Sequence, residues 1–288
     1  MAKSSVSPLR YPGGKTSITD MLQSVIHNNE LRYFQYAEPY AGGCGLALAL
    51  LYGGYVSHIH INDIDPAIWA FWHSVLNNTD DLIDLIETTP ITLDEWKAQR
   101  ETYLKSDLSN PISVGFSAFF LNRTNRSGII KGAGPIGGKT QLGNYKIDCR
   151  FNREDLKAKI RRVEKYKEQI SLYNKDAKEF MNDLDGGSIQ NILFVIDPPY
   201  YHKGSSLYTN FYRPEDHAAV GQVITNLKSP WLLTYDNCPE ISQIYQEFRQ
   251  HTFNINYSLQ NKRKGDELLV TSSDIYIGNE INQYRSVA

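Results

Sequence analysis

Cysteine is scarce in this chain of 288 residues: Cys44, Cys149 and Cys238 are widely spaced and odd in number. That spacing suggests neither a disulfide framework nor a zinc site built on cysteine. His58 and His60 fall on one side of a strand, but no third ligand stands at useful spacing, so no metal is expected. No apolar stretch approaches the ~20 residues of a membrane span, and the opening Met-Ala-Lys-Ser-Ser lacks the apolar core of a signal peptide. No membrane partner and a cytoplasmic location are the expectations. A triphosphate-binding loop is missing too. The pairs Gly14-Lys15 and Gly138-Lys139 need a glycine five residues ahead of the Gly, and Leu9 and Ala133 stand there.

Net charge is also low, at -2, which taken alone speaks against a polyanionic partner. The average hides a segregation. Between Arg123 and Lys167, six Arg and seven Lys face four acids, a local net charge of +9. A solvated helical face with i,i+4 pairing accounts for part of Asn152 to Lys167, but not for the excess of one sign.

What the chain does have is an apolar run, Ile192 to Ile196, that stops at Asp197-Pro-Pro-Tyr200. A continuous branched run suits a central parallel strand covered on both faces. Two prolines lack the backbone donor that a ladder needs, so the strand ends where the polar group begins. Ligands in open α/β sheets bind beyond the carboxyl ends of strands, where this tetrapeptide falls. An ordinary Asp-Pro-Pro turn is the alternative reading of these four residues alone.

Elsewhere, Thr16 to about Asn28 reads as a helix, and Tyr33 to Glu38 as a short strand. Pro39-Tyr-Ala-Gly-Gly-Cys-Gly45 follows as a glycine-rich turn leading into an apolar helix, Leu46 to Leu51. Such a turn lets backbone approach a ligand closely. The strand His58 to Asn62 ends at Asp63, about twenty residues beyond the glycines, where an acid can accept from a ribose. Asp80 to about Leu121 is helical in pattern, and Asn122 to Lys139 is polar, basic and glycine-rich, suited to a loop or hairpin that orders on a partner. Asn152 caps a basic helix. Strands then alternate with helices: Ile170–Tyr173, Ile192–Asp197, Trp231–Tyr235, Phe253–Tyr257 and Glu267–Thr271. The expected fold is α/β, a doubly wound, mostly parallel sheet with a mainly helical insertion. Its boundaries are 1–76 with 168–288 for the sheet domain and 77–167 for the insertion.

Tyr11-Pro-Gly-Gly-Lys15, Glu38-Pro-Tyr-Ala-Gly-Gly43, Asn62-Asp63-Ile64, Leu121-Asn-Arg123 and Asp197-Pro-Pro-Tyr200 occur in that order over nearly the whole chain. This set resembles the Dam-like family of site-specific adenine DNA methyltransferases. The resemblance implies a Rossmann-like class I methyltransferase fold, S-adenosylmethionine as cofactor and double-stranded DNA as partner. It also implies N6 of a flipped-out adenine as the methyl acceptor, with a companion restriction endonuclease left open. Carried over residue by residue, Tyr11, Lys15, Glu38, Gly42, Gly43, Asp63, Ile64 and Asp197 match cofactor-binding positions. Asp197, Pro198, Pro199 and Tyr200 match the catalytic motif. The family's last turn glycine is replaced by Cys44.

The insertion is then the expected DNA reader, with Arg123, Arg126, Lys131, Lys139 and Lys146 as contacts to phosphates or guanine edges. Gln260 to Gly265 is a second basic candidate, or a plain hairpin turn. Two rival functions remain: a methyltransferase of RNA adenine or of cytosine N4, and a noncatalytic DNA-binding module on the same fold.

Overall fold

The computed structural model describes residues 5–10, 15–202, 212–257, 263–278 and 281, with side chains left undescribed over 255–257 and 263–265. The chain divides into two compact units, Met1–Pro12 with Ile64–Asn174, and Gly13–Asp63 with Lys175–Ala288.

In the second unit, strands β1 (Gln35–Glu38), β2 (His58–Asn62), β4 (Ile192–Ile196), β5 (Trp231–Asp236), β6 (Arg249–Tyr257) and β7 (Arg263–Thr271) follow the spatial order β2-β1-β4-β5-β7-β6, with elements numbered along the chain. Pairing is parallel from β2 through β1 and β4 to β5. It is antiparallel from β5 to β7 and from β7 to β6. All five residues of β4 are buried, as a run of Ile, Leu, Phe and Val covered on both faces should be.

Helices α1 (Thr19–Asn28), α2 (Gly45–Tyr52), α8 (Ala177–Asp185), α9 (Pro214–Thr225) and α10 (Pro239–Ile244) complete this unit. The chain leaves β1 toward β2 on one side, and β4 lies on the other. That reversal opens a crevice beyond the carboxyl ends of β1 and β4. Glu38 ends β1 and Asp197 follows β4, so both carboxylates stand at its rim.

The first unit holds helices α3 (Pro66–Asn77), α4 (Thr79–Thr88), α5 (Leu93–Lys105), α6 (Pro111–Thr124) and α7 (Arg153–Glu164), and the short strand β3 (Ile170–Tyr173). Asp65 caps α3 by accepting from the Ala67 N–H at 2.9 Å, and Asn152 caps α7 by accepting from the Asp155 N–H at 3.1 Å. Helix α6 is buried without interruption from Val114 to Thr124, and its Phe119 stacks on Phe71 of α3 with ring centroids 5.4 Å apart. The two backbones meet at Gly115, where an added Cβ would lie 2.5 Å from the Ala70 carbonyl oxygen.

Helix α3 packs with α6 inside this unit. The segment Asn122 to Lys139 forms no regular hairpin among the described residues. It holds one isolated antiparallel bridge, between Asn125 and Pro135.

Candidate active site

Asp197 emerges from β4 with its Oδ1 accepting from the Thr234 hydroxyl at 2.8 Å and lying 3.2 Å from the Lys15 ammonium. Lys15 also donates to Glu267 Oε2 at 3.1 Å and to the Tyr200 hydroxyl at 3.2 Å. Tyr200 in turn donates to Glu267 Oε1 at 2.7 Å. The side chains of Lys15 and Glu267 are almost wholly buried, while that of Asp197 is 20% exposed and forms the mouth of the group. Burial raises the pKa of Asp197 against the pull of Lys15 and of the Thr234 hydrogen bond. Burial and the nearby Asp197 push Glu267 up to about 7, against Lys15 and Tyr200.

Two backbone donors fix the chain just after this motif. The Asp236 carboxylate accepts from the Tyr201 N–H at 2.9 Å and from the His202 N–H at 3.2 Å. Pro198 and Pro199 are buried.

Across the crevice, Gly42 takes φ +46° in the turn after β1, and its N–H donates to Asp63 Oδ2 at 2.8 Å. Cys44 holds φ +50°, the left-handed conformation that favours glycine. Gly42 and Gly43 are buried. Gly45 lies so close to Thr16 that a Cβ would stand 2.5 Å from its Oγ1. Glu38 is buried with Oε2 unpartnered among the described residues, and burial, then Asp197 and Asp63, hold its pKa well above the usual carboxylate range. Three acids that repel one another around a glycine turn suit a cationic occupant.

A family model matches residues 11–259, and its description is the D12 class of N6 adenine-specific DNA methyltransferases. The chain belongs to this family. No curated protein matches it. Similar solved structures include one described as a candidate RNA methyltransferase from Pyrococcus horikoshii, at 12% identity and TM-score 0.44, covering 93% of this chain and 87% of that one. Another is the rRNA methyltransferase AviRa from Streptomyces viridochromogenes, at 13% identity and TM-score 0.41, covering 92% and 87%. A family of methyltransferases implies a methyl donor of the S-adenosylmethionine type, and a DNA methyltransferase implies DNA as partner. Among the described residues, no helix is long and apolar enough to cross a membrane.

Of the residues expected in this methyltransferase's site, Lys15, Asp197 and Tyr200 form one hydrogen-bonded group, and Gly42 and Asp63 form a second. Tyr11 lies outside the described residues, and Ile64 is 48% exposed. Among the candidate DNA contacts, Arg126, Lys131, Lys139 and Lys146 are exposed. Arg123 is buried in α6, where its Nε donates to the Arg150 carbonyl at 2.9 Å. Burial, then the charges of Arg10 and Arg150, lower its pKa to about 10. Of Gln260 to Gly265, only the strand backbone from Arg263 is described.

Sequence reasoning missed Glu267, Thr234 and Asp236. Glu267 offered one signal, an acid at the head of the apolar run Leu268-Leu-Val270.

Proposed function

We propose that this methyltransferase uses S-adenosylmethionine to methylate N6 of an adenine rotated out of double-stranded DNA. The observation that carries this is the placement of Asp197, fixed by Thr234 and Lys15 at the carboxyl end of β4, beside the crevice that Glu38 also borders. When bound, the cofactor supplies an electrophilic methyl group with a good leaving group behind it. Glu38 would face its positive charge, Asp63 would accept from its ribose hydroxyls, and the Gly42-Gly43 turn would let its methionine part lie close to backbone.

Adenine's amino lone pair is delocalised into the ring, which makes N6 a poor nucleophile. Asp197 and the Pro198 carbonyl accept its two N–H bonds and favour a more pyramidal nitrogen. Among the described residues, both contacts to Asp197 are made at Oδ1, which leaves Oδ2 to meet the base. The amino group is out of reach in a stacked duplex, so the base leaves the stack and rests against the Tyr200 ring. Residues 77–167 act as the recognition segment. There the exposed Arg126, Lys131, Lys139 and Lys146 contact DNA, while the buried Arg123 shapes the surface around them.

Incubating the protein with labelled S-adenosylmethionine and duplex DNA, RNA or no nucleic acid, followed by nucleoside analysis, tests the reading. Labelled N6-methyladenine from DNA alone is the expected result. Label in cytosine, in RNA only, or nowhere overturns it.

A further inference from the structure

The methylated nitrogen of adenine carries a positive charge and must lose a proton, and Asp197 is the first acceptor it meets. A single partly desolvated carboxylate that keeps this proton becomes a neutral donor, still hydrogen-bonded to the product. Behind it lie a buried ammonium and a second buried carboxylate to which the reading above gives no task. Lys15 Nζ sits 3.2 Å from Asp197 Oδ1 and 3.1 Å from Glu267 Oε2, with nearly all of its side chain excluded from solvent.

We propose that Glu267 is the proton store of this site, filled from Asp197 through Lys15 after methyl transfer and emptied through the same residues once product has left.

The step balances in two moves. The N6 proton passes to the Asp197 carboxylate, leaving neutral N6-methyladenine and a protonated Asp197. Lys15 then gives one of its three protons to Glu267 Oε2 and takes the proton of Asp197 in exchange. Lys15 remains an ammonium, Asp197 is again a carboxylate able to grip the next amino group, and Glu267 is the neutral acid. No bond between heavy atoms changes and no external reactant is needed. Heavy-atom separations of 3.1 and 3.2 Å lie at the long end of hydrogen-bond contact, within reach of small side-chain motions.

The groups facing Glu267 suit storage over permanent ionisation. Lys15 is shared with Asp197, so its single positive charge cannot neutralise both carboxylates. The Tyr200 hydroxyl donates to Oε1 and stabilises the ionised form. Burial and the Asp197 charge act the other way, and Glu267 titrates at about 7, where neither form is rare at neutral pH. Asp197 itself faces Lys15 and Thr234, with the charge of Asp236 further off, and it lies near Glu38. Glu267 is also a positioning residue, because both its oxygens hold groups that touch Asp197 or the base site.

This inference rests on the adenine reaction proposed above, and the experiment keeps the two apart. Steady-state methylation of duplex DNA, in which Asp197 must be restored at each turnover, is followed from pH 6 to 9 with wild type and with Glu267→Gln, which is nearly isosteric. The wild-type rate is expected to rise with a midpoint near 7, and the variant to be at least about tenfold slower with that rise flattened. Unchanged rate and pH profile in the variant, with N6-methyladenine made by wild type, overturns the store alone. Absence of N6-methyladenine from wild type removes the reaction and the store with it.

Because the variant could lose activity through misfolding, time-resolved infrared spectroscopy of wild type gives an independent readout. A protonated-carboxyl band is expected to appear as methyl transfer proceeds and to decay on product release. Its absence overturns the proposal whatever the variant does.

Discussion

Asp63 accepts the backbone N–H of Gly42 at 2.8 Å, so an acid at the end of β2 braces the glycine turn that follows β1. The contact gives Asp63 a task before any ligand arrives. Asp63→Ala is expected to weaken S-adenosylmethionine binding by roughly tenfold or more, since a charge-assisted hydrogen bond contributes about 1.5–3 kcal/mol. Asp63→Asn keeps an acceptor and should fall between. Calorimetric titration of both variants decides it, and wild-type affinity in Asp63→Ala would remove the brace from the argument.

Asp197→Asn should fold and lose turnover by about a thousandfold or more, because an amide accepts more weakly and presents an N–H where N6 needs an acceptor. Rates from labelled S-adenosylmethionine, with the variant's melting curve alongside, provide the check. Normal turnover would sink the proposed mechanism.

Glu267 also sets a pH dependence of stability. Its pKa in the folded protein is about 7, against the model-compound value of 4.5. A carboxyl raised on folding favours the native state when protonated, so this contribution is complete below about 4.5 and lost as the pH climbs through 7. Above pH 8 the loss amounts to roughly 3 kcal/mol. Glu267→Gln, permanently neutral, should therefore gain stability over wild type as pH rises from 5 to 8. Denaturant titrations at both pH values measure the gap, and a gap that does not widen contradicts the assignment.

Gly115→Ala is expected to destabilise the first unit by about 1–3 kcal/mol or more, since the new methyl meets the backbone of Ala70 and Phe71 and cannot move aside. Chemical denaturation followed by tryptophan emission should show it, because Trp72 is buried in the same helix as Ala70. A midpoint within error of wild type would mean that α3 and α6 separate easily.

Thiol chemistry reports on the fold without any ligand. Cys149 is exposed, while Cys44 and Cys238 are buried. Burial raises the pKa of Cys44 well above the usual thiol value and that of Cys238 to about 11. One thiol should react rapidly with a disulfide reagent in native protein and two only on unfolding. Two or three fast thiols would contradict the packing around α2 or at the end of β5.

Short strands were legible in the sequence, β4 as a continuous buried apolar run and β2 as an alternation of His and Ile. β2, β3 and β4 fall where His58–Asn62, Ile170–Tyr173 and Ile192–Asp197 were expected, to within one residue. The last two strands begin earlier than expected, at Arg249 and Arg263, because each strand's first residues are polar and follow no alternation. Asp63 was legible as a neighbour of the glycine turn, to which the Gly42 N–H joins it. Glu267 was not, because its partner Lys15 is 252 residues away and only antiparallel pairing of β7 beside β5 carries it to the site. Arg123 is placed otherwise than its sequence neighbourhood suggests. A basic residue beside an exposed polar turn reads as a surface contact, yet one more turn of α6 buries it.

The bond between Lys15 and Glu267 joins residues that leave the ribosome far apart in time. At about 5–20 residues per second, the 252 positions between them take roughly 10 to 50 s to synthesise. Through that interval Lys15 has been made and its second carboxylate has not. A nascent chain that can already form β4 and expose Asp197 therefore holds an ammonium facing one acid, without the final pair of β-strands that locks it. The group of Lys15, Asp197 and Glu267 is therefore complete only after translation has passed residue 267.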